Sequence, residues 1–123
     1  MTGEADLSGH RVLVVEDEYY LAADAARALG GAGAEVIPCS TEESARAALE
    51  EQRVDAVVLG INFGSGPTFK LAEMLKGHGI PFVFFTGYDQ VVIPKEFAHV
   101  ERLEKPVEPL QIVRAISKVL VLP

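Results

Sequence analysis

Two acids in a row, Glu16 and Asp17, stand directly after the apolar run Val12-Leu13-Val14-Val15. Adjacent carboxylates repel each other unless something positive joins them, and a hard divalent cation or a lysine serves that purpose. The competing reading is a solvated helix N-terminus, where acids complement the dipole. The other chemistry-bearing residues are scattered. His10, His78 and His99 fall at a strand start and in loops. The single cysteine, Cys39, has no partner for an internal disulfide and reads as a small buried hydrophobe. Ser65 has no base close in sequence to activate it.

The elements that must position the acid pair follow from periodicity. Residues 11–15 form a short apolar run of the kind buried on both faces of a parallel sheet. A helix follows Asp17, with Leu21, Ala22, Ala25, Leu29 and Ala32 at helical spacing and Gly30, Gly31 and Gly33 stopping it. That glycine cluster comes after a helix, so it is a cap and not a phosphate loop. Residues 34–38 form a second strand. Ser40 is the expected N-cap of the next helix, with Glu43 completing a capping box, and Ala45, Ala48 and Leu49 face inward. Residues 55–59 form the third strand, followed by a loop from Gly60 and a helix opened by Pro67. Its apolar side is Leu71, Ala72, Met74 and Leu75, and Gly77 and Gly79 end it. Residues 80–85 form the fourth strand. A short or loosely formed fourth helix is expected over 89–99. Residues 100–104 form a fifth strand, and Pro109 starts a last helix with Ile112, Val113, Ile116, Val119 and Leu120 on one face.

Strands alternating with helices predict an α/β, flavodoxin-like, doubly wound (βα)5 fold with a parallel sheet in the order 2-1-3-4-5. In such a sheet, ligands collect outside the carboxyl ends of the strands. The groups converging there are Glu16 and Asp17, the Gly60 to Asn62 backbone, Thr86 and Lys105. At 123 residues, 49% hydrophobic and 24% charged, the chain is one globular domain, read as a flexible segment 1–10 and a folded unit 11–123. The net charge of −7 disfavours nucleic-acid partners. No apolar run reaches membrane-spanning length and residues 1–10 have no signal-peptide character, so a cytoplasmic protein is expected.

With these residues in place, the sequence resembles two-component response-regulator receiver domains over residues 11–120. The match rests on the Glu16-Asp17 pair, the Asp-Ala-Val-Val-Leu strand at 55–59, Thr86 after strand four, and Lys105-Pro106 after strand five. The resemblance implies that Glu16, Asp17 and the Asn62 carbonyl form a magnesium site. It also implies that Thr86 and Lys105 contact phosphoryl oxygens, and that Pro106 follows a cis bond. Where the family carries its phosphoacceptor aspartate, this chain has Gly60, which offers no nucleophile. Asp55 lies five residues earlier, near the opposite end of the strand. The family's aromatic switch position, three residues before the lysine, is Arg102. The stretch Phe84-Phe85-Thr86-Gly87-Tyr88 resembles a Phe-x-Thr-Gly-Tyr subgroup, in which Tyr88 takes either a switching role or a capping one.

The expectation is a receiver-like signalling domain without a phosphoacceptor, acting as a phosphorylation-independent protein-interaction module and not as an enzyme. No cofactor is required. Magnesium binds weakly or is replaced by a Lys105 salt bridge to Asp17 or Glu16. The partner is a histidine kinase, an output domain or a second copy, meeting the face of helix four, strand five and helix five at Arg102, Glu104, Gln111 and Lys118. The alternatives are a small metal-dependent hydrolase, which lacks an evident nucleophile, and a flavin, nucleotide or small-ligand binder. Acids instead of a glycine-rich loop follow the first strand, which disfavours phosphate there.

Overall fold

A computed structural model of the chain describes residues 6–63, 66–67, 69–86, 93–104 and 107–120. The strands β1 (Arg11–Val15), β2 (Glu35–Cys39), β3 (Ala56–Gly60), β4 (Phe82–Thr86) and β5 (Arg102–Glu104) form one parallel five-stranded sheet. Their spatial order is β2-β1-β3-β4-β5, the doubly wound order expected. The helices are α1 (Tyr19–Gly31), α2 (Glu42–Glu51), α3 (Lys70–Gly77) and α4 (Pro109–Leu120).

Successive side chains of a strand point to opposite faces, so each central strand feeds two cores. Val12, Val14, Val58 and Val83 pack with Ala25 and Leu29 of α1 and with Ile112 and Ile116 of α4. Leu13, Val15, Val57, Leu59 and Phe84 pack with Ala45 of α2 and with Leu71 and Leu75 of α3. Burial on both faces is why these strands read as continuous apolar runs. The register aligns the strand ends. Val15 is level with Cys39 and Leu59, Gly60 with Phe85, and Thr86 with Glu104.

Several local expectations are corrected. Gly30 and Gly31 lie inside the last turn of α1, and Gly33, at φ +104°, does the stopping. The Gly33 amide donates to the Gly30 carbonyl at 3.0 Å and the Ala34 amide to the Leu29 carbonyl at 3.1 Å, the two bonds of a Schellman cap. The N-cap of α2 is Thr41, not Ser40, and its box partner is Ser44, not Glu43. Thr41 Oγ1 accepts from the Ser44 amide at 3.0 Å, and Ser44 Oγ accepts from the Thr41 amide at 3.3 Å. Because β2 runs on to Cys39, the helix starts one residue later. Pro67 does not open α3. It pairs with Asn62 in a short antiparallel hairpin, Asn62–Phe63 against Gly66–Pro67. A fixed φ suits an extended segment as well as a first helical turn.

In the region of the expected fourth helix the described residues hold one 3-10 turn, Lys95–Phe97. Phe97 is buried, with its ring 5.9 Å from Phe84 and 6.0 Å from Phe82. Within the segment expected as flexible, Leu7 is the buried residue among 6–10. Leu7 is 1% exposed and its amide donates to the Ala32 carbonyl at 2.8 Å. Residues 1–5 lie outside the described residues.

Candidate functional site

The crevice at the carboxyl ends of β1, β3 and β4 brings Glu16, Gly60 and Thr86 together. Glu16 follows β1 directly and is buried, 5% exposed, although it is an acid. Its amide donates to the Cys39 carbonyl at 3.0 Å, which extends the β1–β2 ladder by one bond. Its Oε2 accepts from the Glu18 amide at 3.0 Å, so the carboxylate turns back over the start of α1. Its Oε1 points at Gly60. A β-carbon built on Gly60 would stand 2.9 Å from Glu16 Oε1 and 2.9 Å from the Val15 carbonyl oxygen. Real β-carbons do not approach that closely, so the space beside Gly60 belongs to the Glu16 carboxylate and to β1 itself. Asp17, by contrast, is exposed and has no ion pair among the described residues. The paired acids of the sequence are therefore one buried group and one solvated group.

Thr86 closes β4 and is buried, 5% exposed. Asp55 lies at the far end of β3 from Gly60. It accepts from the Arg11 amide at 2.7 Å and sits 3.3 Å from Arg53 and 4.0 Å from His10. It is a structural acid, as its place in the strand implied. The backbone of Asn62 opens the short hairpin. Lys105, Pro106, Tyr88 and Ser65 lie outside the described residues, as does the expected salt bridge of Lys105 to Asp17 or Glu16. Arg102 opens β5, level with Phe84, and is exposed. Its side chain is in solvent where the family resemblance expects a ring that can swing inward.

Magnesium prefers an octahedral oxygen shell built on one or two carboxylates plus waters. One Glu16 oxygen is committed to the Glu18 amide and the other faces Gly60, which leaves Asp17 as the solvated donor. Among the described residues no group of three or more histidine, cysteine or acidic side chains is arranged to hold a metal ion. The acids that would hold such an ion are Glu16 and Asp17. Cys39 is a free thiol at the end of β2, and burial pushes its pKa up, with a Ser44 hydrogen bond acting in the opposite direction.

Two surface features flank the crevice. A groove of about 440 Å³ between β5 and α4 is lined by Arg102, Glu104, Gln111 and Lys118, the four residues expected as an interaction face, and also by Arg114. Lys118 Nζ lies 3.4 Å from Glu101 Oε1. The other feature was not foreseen. Tyr19 and Tyr20, at the start of α1, are each 76% exposed, and their rings meet edge to face at 5.3 Å. The sequence signal was present, because two aromatic residues precede the apolar stripe of α1 out of phase with it.

No protein-family model matches the sequence, and no curated protein matches it. Solved structures do match. SdrG from Sphingomonas melonis Fr1 aligns at TM-score 0.78 and 28% identity, over 98% of this chain and 100% of that one. A response regulator receiver protein from Sinorhizobium medicae WSM419 aligns at TM-score 0.76 and 25% identity, over 94% of this chain and 97% of that one. The response regulator PhyR from Brucella abortus aligns at TM-score 0.76 and 22% identity, over 94% of this chain and 49% of its own. The fold of this chain is that of a response-regulator receiver domain. No helix among the described residues is long and apolar enough to cross a membrane.

Proposed function

We propose that this chain is a receiver-like signalling module that takes no phosphoryl group and works by protein contact. One observation carries the reading. At the end of β3, where a carboxylate nucleophile would have to project, Gly60 has no side chain, and a β-carbon there would stand 2.9 Å from Glu16 Oε1. With the crevice closed to covalent chemistry, recognition falls to the surface. The groove between β5 and α4 gathers Arg102, Arg114 and Lys118 beside Glu101 and Glu104, a mixed-charge face suited to a protein partner. Such a partner would be a kinase, an output domain or a second copy.

The test is incubation of the purified chain with acetyl phosphate and magnesium, followed by intact mass measurement. The expected result is no added phosphoryl group. A hydroxylamine-labile adduct on the native chain would overturn the proposal.

A further inference from the structure

A second groove, of about 400 Å³, runs between α1 and the end of β2. That volume lies within the range of small-molecule sites, which are mostly apolar with a few placed polar groups. The floor here is formed by Ala22, Ala23 and Ala26 on one side and by Pro38 and Cys39 on the other. The alanines leave the helix surface low, and Tyr19 stands at the rim with its ring in solvent. One end of the groove is acidic. Glu16 and Asp17 both line it; Asp17 is exposed with no ion pair among the described residues, and no lysine or arginine among the described residues lines the groove.

We propose that this groove binds a small amphipathic ammonium, an aromatic or alkyl body lying over the alanines with its cation at Asp17. Charge complementarity selects the occupant. A second copy of this chain, itself at net charge −7, would bring its own Asp17 and Glu18 against the same acids. An anionic ligand would meet the Glu16 and Asp17 carboxylates at that end. An ammonium is drawn to the carboxylate and also to the face of the Tyr19 ring, since cations favour aromatic faces. The groove shares Glu16 and Asp17 with the crevice, but Gly60 does not line it, so ammonium binding is tested without reference to phosphoryl transfer.

The probe is tryptamine, titrated into the full chain labelled with nitrogen-15, with amide shifts as the readout. The expected result is movement centred on Ala22, Ala23, Ala26 and Ser40, with a Kd on the order of 1 mM. The neutral analogue 3-methylindole should bind about fivefold more weakly, the scale of one exposed ion pair. Indole-3-propionate should produce no shift. Ala26→Leu fills the groove and should abolish binding, with circular dichroism confirming the fold. Asp17→Asn should bring tryptamine down to the affinity of 3-methylindole, and it tests the proposal even if Ala26→Leu fails to fold. Absence of shifts at these amides, equal binding of the charged and neutral probes to the native chain, or unchanged binding by a folded Ala26→Leu variant would each overturn the proposal.

Discussion

At residue 60 the backbone of β3 lies so close to β1 that a β-carbon meets the Val15 carbonyl oxygen and the Glu16 carboxylate at 2.9 Å each. The first contact is with main chain, which does not yield cheaply, and the second is with the end of a side chain, which can swing away. Gly60→Ala should therefore lower stability by about 1–3 kcal/mol, the scale of overpacking. In a Glu16→Ala background the same substitution should be less damaging, because one of its two obstacles is gone. Urea unfolding of the four proteins gives the coupling directly. Additive losses would mean that Glu16 does not occupy the space. That a glycine ends the strand was legible in the sequence. That Glu16 turns onto it was not, since the carboxylate's direction depends on the amide of Glu18 and on the spacing between strands.

Among the elements, type and order were legible and frames were not. The central strands β1, β3 and β4 announced themselves because both faces are buried, which leaves almost no polar position to obscure the run. Ser40 with Glu43 and Thr41 with Ser44 both satisfy a capping pattern, and only the length of β2 decides between them. Pro67 was misread for a similar reason, because its fixed φ serves a hairpin strand as readily as a first helical turn. The Thr41 assignment predicts that Thr41→Ala lowers stability by about 1 kcal/mol while Ser40→Ala changes little, as read by thermal or urea unfolding. Weak apolar spacing over 89–99 led to the expectation of a short or loosely formed fourth helix, and over the described residues 93–99 there is one 3-10 turn. What holds the 3-10 turn there is the aromatic contact of Phe97 with Phe82 and Phe84.

For the whole molecule, two cores share one sheet, and Leu7 adds to the first from outside the alternating pattern. Its contribution was missed because one leucine in a polar segment carries no periodicity. A ligand that binds only the folded state raises stability by RT ln(1 + L/Kd), where L is its free concentration. With Glu16 committed and Asp17 solvated, about 10 mM magnesium should add less than about 0.4 kcal/mol, the value when that concentration equals Kd. In a domain of this size the thermal midpoint should then move by less than about 2 °C. A rise of several degrees in a thermal scan would show that both acids still hold the ion.

The outer strand β2 also governs how molecules of this chain can meet. The amide of Glu35 donates toward β1 and the carbonyl of Cys39 accepts from it, so the odd-numbered residues spend their main-chain groups inward. Val36 and Pro38 face the open side, and proline has no amide hydrogen to give. Within β2 that leaves the amide of Val36 as the one donor along this margin. A foreign strand laid there finds too little to zip onto, so this edge of the sheet is guarded by its sequence.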